Sequence, residues 1–225
     1  MIIFLSHLID QKTPMYGGTQ GFISNPVKSI RKGDTANTSK WEFPNHLGTH
    51  IDFPYHFHKN GQTIEDFPDD YWKIDGEKIQ IIDVKLPEKN LLIKNDFFTN
   101  QEFNYNSEFI IFKTHAGEYR QNERFWKNNP GLSLETAKWL KNKFKKLRFI
   151  GFDSISTSSY QHRDIGKQVH RKLLSPEKPV MLIEDMDLSK INMDTVIKNI
   201  YIAPLRVKKT DGTSCTIIAE VKNNR

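Results

Sequence analysis

Cysteine and long apolar runs are both scarce in this chain of 225 residues. Cys215 is the single cysteine, so a disulfide within the chain and a zinc site built from cysteines are both excluded. No apolar stretch approaches the roughly 18 residues that a membrane-spanning helix needs. Charged residues make up 27% of the chain and apolar residues 37%, a balance typical of soluble globular proteins.

The composition shows no shift that would mark a linker, and the length suits one substantial core. We therefore expect a single domain over residues 1–225. The opening segment, Met1–Leu5, lacks the charged start and the long apolar region of a signal peptide, and it is typical of a first strand. These features predict a cytoplasmic protein without a membrane partner.

The formal net charge of +6 raises nucleic-acid binding as a hypothesis. The lysines, however, are spread along the chain. Their densest group, from Lys138 to Arg148, falls on a predicted helix that needs a solvated face in any case. We keep nucleic-acid binding as a third alternative and expect no nucleic-acid partner.

Histidine is concentrated in one short segment, residues 45–58, which holds half of the eight histidines. Its histidines and its one acid all occupy even positions: His46, His50, Asp52, His56 and His58. The odd positions between them are mostly apolar. Because successive side chains of an extended segment point to opposite faces, this alternation predicts a strand with a packed back and a front that carries imidazoles and a carboxylate.

A straight strand cannot bring these side chains to one metal ion. At about 3.3 Å per residue, His46 and His50 would lie roughly 13 Å apart, whereas zinc ligands lie about 2.0–2.2 Å from the ion. The segment must therefore bend, or its members serve different purposes. Bends are predicted at Gly48 and Pro54, which favour a bulge or a strand end and disfavour a helix. Imidazole and carboxylate ligands together suit Zn, Mn or Fe, so the segment predicts a metal site.

Apolar runs bounded by polar residues predict buried strands at Lys78–Val84, Glu108–Thr114, Leu147–Asp153 and Val180–Glu184. Further strands are expected at residues 2–5, 37–47, 201–207 and 214–221, and a turn with a short helix at residues 58–76. One helix follows a cap at Ser133, and a second contains Ile165, Val169 and Leu173. Strands that alternate with helices predict an α/β protein with a mixed sheet.

The segment from His46 to Phe57 resembles the signature H-x-G-T-H-x-D-x-P-x-H-F of the metal-dependent cyclase family, and every fixed position is met. That family includes the bacterial arylformamidases (kynurenine formamidases) and the isatin hydrolases. The resemblance implies a swivelling β/β/α-type domain with a mixed sheet and flanking helices. It also implies a small-molecule substrate and a homo-oligomer, a dimer or a tetramer.

The resemblance implies further site residues in the second half of the chain. Family members carry a strand ending in G-x-D, a serine-containing loop, a helix with His, and an apolar strand ending in Glu. The matching pieces here are Gly151–Asp153, Ser154–Ser159, His170 and Met181–Glu184. By this resemblance His170 and Glu184 join His46, His50 and Asp52 as ligands of one or two Zn or Mn ions, and Glu184 bridges if two bind.

Some residues near this pattern have open roles. His162 is an alternative to His170, and Asp153 is expected to orient a ligand imidazole. Tyr16 falls where bacterial formamidases commonly carry Trp, which implies that it lines the substrate pocket. His115 lies in a stretch that departs from the family's T-G-W pattern, and it is a further candidate for a substrate contact.

His56 occupies the position of the family's general acid/base, a role that suits histidine at neutral pH. The chain is thus predicted to be a hydrolase of a carbon–nitrogen amide bond, with metal-activated water as nucleophile and His56 as proton relay. An aryl formamide such as N-formylkynurenine is the first expected substrate. Lactam opening and a lactone or cyclase-type reaction are alternatives, and a non-catalytic metal- or small-molecule-binding protein is the alternative from another class.

Overall fold

The computed structural model describes residues 1–19, 21–86, 91–98 and 101–222. The strands in these ranges are β1 (Ile2–Phe4), β2 (Ile23–Lys28), β3 (Thr38–Glu42), β4 (His50–Asp52), β5 (Lys73–Asp75), β6 (Ile79–Asp83), β7 (Leu92–Ile93), β8 (Phe109–Lys113), β9 (Gly131–Leu132), β10 (Phe149–Phe152), β11 (Met181–Glu184), β12 (Ile197–Pro204) and β13 (Gly212–Val221). The α-helices there are α1 (Arg124–Lys127), α2 (Leu134–Lys143) and α3 (Arg163–Leu173).

Short 3-10 turns connect many of these elements. They lie at Ile30–Lys32, Pro54–His56, Ile64–Asp66, Asp69–Trp72, Gly76–Lys78, Asn95–Phe98, Ala116–Tyr119 and Tyr160–His162. Within the described ranges, no helix is long and apolar enough to cross a membrane.

The main sheet changes from parallel to antiparallel at β4. Its strand order is β5-β12-β13-β4-β11-β10-β8-β6, and β1 pairs with β13. Strands β6, β8, β10 and β11 run parallel to one another, whereas β4 is antiparallel to both of its neighbours, β11 and β13. This mixed sheet confirms the predicted α/β class. The strands β2 and β3 form a separate pair, as do β7 and β9.

Two apolar layers cover the faces of this sheet. Because side chains alternate along β11, Met181 and Ile183 belong to one layer and Leu182 to the other. The Leu182 layer also contains the buried faces of α2 and α3, including Leu140 and Val169. Both faces of the sheet are therefore covered, which agrees with the continuous apolar sequences of its parallel strands.

Most long apolar runs form the strands predicted for them, and Ser133 caps α2 by accepting a hydrogen bond from the Thr136 amide at 3.1 Å. Three assignments need correction. The strand expected at residues 37–47 covers only Thr38–Glu42 and pairs with β2, not with the main sheet. Residues 58–76 contain β5 beside their turns, and β12 begins at Ile197, earlier than expected.

Candidate metal centre

The histidine-rich segment bends at the two residues where bends were predicted. Gly48 adopts a left-handed conformation with φ of 64°, which a side chain would disfavour, and Pro54 begins a 3-10 turn. Between them, Ile51 belongs to the apolar layer that faces away from α2 and α3. His50 and Asp52 therefore face the side of the sheet on which α3 lies.

Strand pairing brings a distant acid beside these residues. In the antiparallel pair of β4 and β11, His50 lies opposite Glu184. Glu184 is the last residue of β11, at the carboxyl end of a parallel strand, where open α/β sheets place their ligand sites. His170, on α3, completes a group drawn from three separate parts of the chain.

Four nearly inaccessible side chains converge here: His50, Asp52, His170 and Glu184 are 5%, 1%, 4% and 4% exposed. His50 Nε2 lies 3.6 Å from Asp52 Oδ1 and 3.4 Å from Glu184 Oε2. His170 Nε2 lies 3.5 Å from Asp52 Oδ2 and 3.4 Å from Glu184 Oε1. These separations exceed ordinary hydrogen bonds, and they match the roughly 3.4 Å between two ligand atoms of a tetrahedral ion that binds each at about 2.1 Å.

The far side of each imidazole is tied to the backbone. His50 donates from Nδ1 to the Gly48 carbonyl at 2.8 Å, and His170 donates from Nδ1 to the Gly166 carbonyl at 2.9 Å. These bonds direct both Nε2 atoms toward the carboxylates. Metal-binding histidines usually have their second nitrogen oriented in this way.

Glu184 is held by the serine-containing loop that follows β10. One carboxylate oxygen accepts hydrogen bonds from the Thr157 amide at 2.6 Å and from the Ser156 hydroxyl at 3.2 Å. Both donors compensate the loss of water around a buried carboxylate. The loop thus fixes the acid before any ligand binds.

His46 and His56 lie on the open side of this group and share a carboxylate that the sequence analysis missed. His46 donates from Nδ1 to Asp52 at 2.9 Å and from Nε2 to Asp211 at 3.0 Å. His56 donates from Nδ1 to Asp211 at 2.8 Å. Asp211 carries no sequence signal of this role, because an Asp-Gly pair is an ordinary turn.

Gly212 lets His46 approach. A Cβ at this position would lie 2.3 Å from His46 Cε1 and 2.9 Å from the Ile51 carbonyl oxygen. Since neither the strand backbone nor the hydrogen-bonded ring can give way easily, only glycine fits here. The tight start of β13 is therefore part of the site.

The carboxylates shift the pKa values of the imidazoles. Burial by itself would lower the pKa of His46 and His170. For His46, the hydrogen bonds to Asp52 and Asp211 and the charges of these acids outweigh burial and raise the pKa to about 9. For His170, the close negative charges of Asp52 and Glu184 outweigh burial and raise the pKa to about 10. In the same way, burial would raise the pKa of Glu184, whereas its contacts with His170 and His50 lower that pKa to about 2. Without a bound cation, the acids therefore hold protons on the imidazoles.

The donor set fits a divalent cation. Two trios have ligand atoms within 4.8 Å of one another: His50, Asp52 and Glu184 form one, and His46, Asp52 and His56 form the other. Asp52 belongs to both. Because the two trios of imidazole and carboxylate donors share Asp52, they are suited to one ion or to a pair of neighbouring ions.

The cluster opens into a cavity of about 350 Å³, large enough for a small organic molecule. Tyr16 lines this cavity, as expected. Neither His115 nor His162 is among its described lining residues. Asp153 accepts hydrogen bonds from the Thr114 amide and hydroxyl, at 2.7 and 2.6 Å, so its carboxylate is engaged there and not with an imidazole.

Comparisons with known proteins agree with this fold. Residues 3–159 match the family model "Cyclase", described as "Putative cyclase". Cyclase-like protein 3 of Arabidopsis thaliana is 25% identical over 95% of this chain and 78% of its own length. Cyclase-like protein 3 of Oryza sativa subsp. japonica is 23% identical over 94% and 77%. The chain therefore belongs to the cyclase family, which confirms the resemblance seen in the signature.

Solved structures share the fold. Isatin hydrolase A from Labrenzia aggregata, bound to benzyl benzoate, superposes with a TM-score of 0.77 at 16% identity, covering 97% of this chain and 93% of that chain. A structure described as a potential metal-dependent hydrolase with cyclase activity gives a TM-score of 0.75 at 20% identity, covering 97% and 96%. At these identities the likeness establishes the fold alone.

Proposed function

We propose that this protein is a metal-dependent hydrolase that cleaves a carbon–nitrogen amide bond in a small molecule. The orientation of His50 and His170 carries the proposal. Each has Nδ1 bonded to a backbone carbonyl and Nε2 aimed at the buried Asp52 and Glu184. Placing two acids together in the protein interior is costly unless positive charge accompanies them.

His46, His50, Asp52, His170 and Glu184 would hold one or two divalent ions, Zn or Mn. A divalent ion at this place supplies a Lewis acid for the substrate carbonyl and lowers the pKa of water to roughly 7. The cavity beside it admits the substrate, and Tyr16, half-exposed in its wall, would pack against an aromatic ring.

His56 would move the proton. Its Nδ1 is held by Asp211, which leaves Nε2 to take the proton that water loses as its oxygen bonds to the carbonyl carbon. The same nitrogen then gives that proton to the leaving amine as the carbon–nitrogen bond breaks. Oxygen and proton are thereby divided between the two products, a carboxylic acid and an amine.

An aryl formamide such as N-formylkynurenine is the first proposed substrate. The fold shared with isatin hydrolase A supports lactam opening as the second, and a lactone or cyclase-type reaction is the third.

The single domain over residues 1–225, the cytoplasmic location and the homo-oligomer stay predictions. Light scattering coupled to gel filtration would test the oligomer.

The decisive experiment measures hydrolysis of N-formylkynurenine and of isatin by protein stripped of metal and then reconstituted with Zn or Mn. We expect turnover of one of them that requires the metal, with bound metal quantified by elemental analysis. Stoichiometric metal without turnover of any amide, lactam or lactone would favour the non-catalytic binding protein. Absence of metal binding would overturn the whole proposal.

A further inference from the structure

Two basic side chains stand at the cavity wall on the helix that carries His170. Arg163 and Lys167 line the cavity together with His170. Residues three, four and seven positions apart share a helix face, so all three project from one side of α3. At 1.5 Å per residue, Arg163 begins about 10 Å along the helix axis from His170. The basic pair therefore lies at a distance from the metal centre, within the same cavity.

Aromatic rings hold the guanidinium of Arg163 in place. Its Cζ lies 3.8 Å from the centroid of the Tyr160 ring. Tyr160 in turn packs against Tyr16 at 5.4 Å and Trp126 at 5.7 Å between ring centroids. The guanidinium also interacts with the Tyr16 hydroxyl. Because a guanidinium has five N–H donors along its edge, the stacked group still has donors to offer a planar anion.

Among the residues that the structure describes, Lys167 has one weak competing partner. Its Nζ lies 3.1 Å from Asp164 Oδ1, but the Asp164 side chain is 92% exposed. Exposed pairs of this kind contribute little, so the ammonium can exchange Asp164 for a ligand. The arrangement provides a second cation near the first.

The acids of the cavity are already engaged. Among the described lining residues, Asp52 and Glu184 face the imidazoles, and Asp185 forms a two-pronged ion pair with Arg120 at 2.7 and 2.6 Å. The uncompensated charge at the cavity wall is thus positive. An anionic group on the substrate would be attracted to this end of the cavity.

We propose that Arg163 and Lys167 form an anion subsite that selects substrates bearing a carboxylate about one aromatic ring away from the scissile amide. This inference rests on the proposed function and narrows its substrate class. A carboxylate would accept from the planar guanidinium and from the ammonium together. The amide end of the same molecule would then face His56 and the metal ligands.

The test compares 4-formamidobenzoate with 4-nitroformanilide, which carries a neutral nitro group of similar shape. The ratio of their kcat/KM values is measured for the wild-type protein and for Arg163→Gln/Lys167→Gln, so the different reactivities of the two compounds cancel. We expect the ratio to fall about tenfold in the double variant, equivalent to the loss of two exposed charged contacts, with the change confined mainly to KM. Added salt should reduce the wild-type ratio.

Lys172→Gln is the matched control, because Lys172 is an exposed cation on α3 that does not line the cavity. It removes one charge from the same helix and should leave the ratio unchanged. An equal fall in this control would assign the effect to net charge alone. An unchanged ratio in the double variant would overturn the subsite.

A binding measurement separates failure of the subsite from failure of the proposed function. Calorimetry compares 4-aminobenzoate with 4-nitroaniline, using metal-free and metal-loaded protein. Tighter binding of the carboxylate, weakened about tenfold in the double variant, supports the subsite even if neither formamide is hydrolysed. Equal binding of both compounds overturns it, whatever the protein hydrolyses.

Discussion

Two cavities lined by described residues, the one beside Glu184 and a second one, combine histidine with acids, and the first has the geometry of a metal centre. The second, of about 230 Å³, is lined by His7, His115, Asp153 and Asp187 among others. There His115 donates from Nδ1 to Glu118 at 2.8 Å and from Nε2 to Asp83 at 2.9 Å. Both imidazole nitrogens are consumed by acids that are themselves accessible to water.

In the first cavity, Asp52 and Glu184 are buried, and His50 and His170 each direct Nε2 toward them while Nδ1 is bonded to a backbone carbonyl. Asp52 is 1% exposed, whereas the Glu118 side chain is 74% exposed. A solvated acid needs no partner, but two buried acids require compensating charge. Residue type therefore does not distinguish the cavities; burial and the orientation of the second imidazole nitrogen do.

A buried ion pair connects the two cavities. Asp185, which follows Glu184 and lines the first cavity, has a left-handed φ of 52° and pairs with Arg120. His7 Nε2, in the wall of the second cavity, lies 3.8 Å from Asp185 Oδ1. The Thr49 hydroxyl donates to the Asp185 carbonyl at 2.5 Å. This network fixes the backbone beside Glu184.

The largest expected effect comes from removing the acid shared by both ligand trios. Asp52→Ala should weaken metal binding by more than the roughly 10–100-fold that loss of an outer-shell partner costs, because a direct ligand is lost. Elemental analysis after dialysis measures this. Asp83→Ala removes an acid from His115 and should leave metal content unchanged. Full metal occupancy in Asp52→Ala would refute the ligand role.

Replacing the proposed proton relay should separate turnover from metal content. His56→Ala is expected to retain metal and to lose about 10²–10⁴-fold in kcat, the usual contribution of general acid–base catalysis. His115→Ala, the same change beside the second cavity, should keep both. If His56→Ala instead loses metal, then His56 is a ligand, as its place in the trio with His46 and Asp52 would allow.

Breaking the ion pair between the cavities should destabilise the fold. Arg120→Met leaves Asp185 buried without its partner, which costs about 3–5 kcal/mol in the free energy of unfolding. Denaturant titration measures this, with Lys127→Met, in an exposed pair with Glu123, as a control expected within about 0.5 kcal/mol. Arg120→Met/Asp185→Gly should recover much of the loss. No difference between Arg120→Met and the control would contradict this role.

A further expected effect is a graded dependence of metal affinity on pH. Since His46 and His170 have pKa values raised to about 9 and about 10, a metal must displace their protons at neutral pH. Affinity should rise by about tenfold per pH unit for each proton displaced, until pH passes these values. Calorimetry in buffers of different ionisation enthalpy counts the released protons. An affinity that is flat from pH 7 to pH 9 would contradict it.

The raised pKa values of His46 and His170 also predict how the stability of the metal-free protein changes with pH. A histidine whose pKa is higher in the folded chain than in the unfolded chain contributes stability. This contribution is complete at pH values below the unfolded pKa of about 6.5, and it is lost as the pH rises through the folded pKa. The metal-free protein should therefore lose stability between pH 7 and pH 10. Thermal unfolding across this range measures the slope, which should be shallower for His46→Asn.

Long apolar runs were the elements most readily predicted from sequence. The strands β8, β10 and β11 and the helices α2 and α3 bury continuous or periodic apolar side chains, and that pattern is local. The strands β5, β7 and β9 have two or three residues each and exist because a neighbouring strand pairs with them. Strand β3 likewise depends on its pairing with β2, which lies outside the main sheet.

Sequence by itself determined which face of the segment 46–56 carries His50 and Asp52, since alternation and the bends at Gly48 and Pro54 are encoded locally. The family signature within it also identified the class of protein, and the resemblance indicated His170 and Glu184. Only the tertiary structure placed Glu184 opposite His50, brought Asp211 between His46 and His56, and aligned Arg163 with the cavity. Those contacts join residues far apart in the chain, and their geometry follows from strand register and helix packing, which no local pattern specifies.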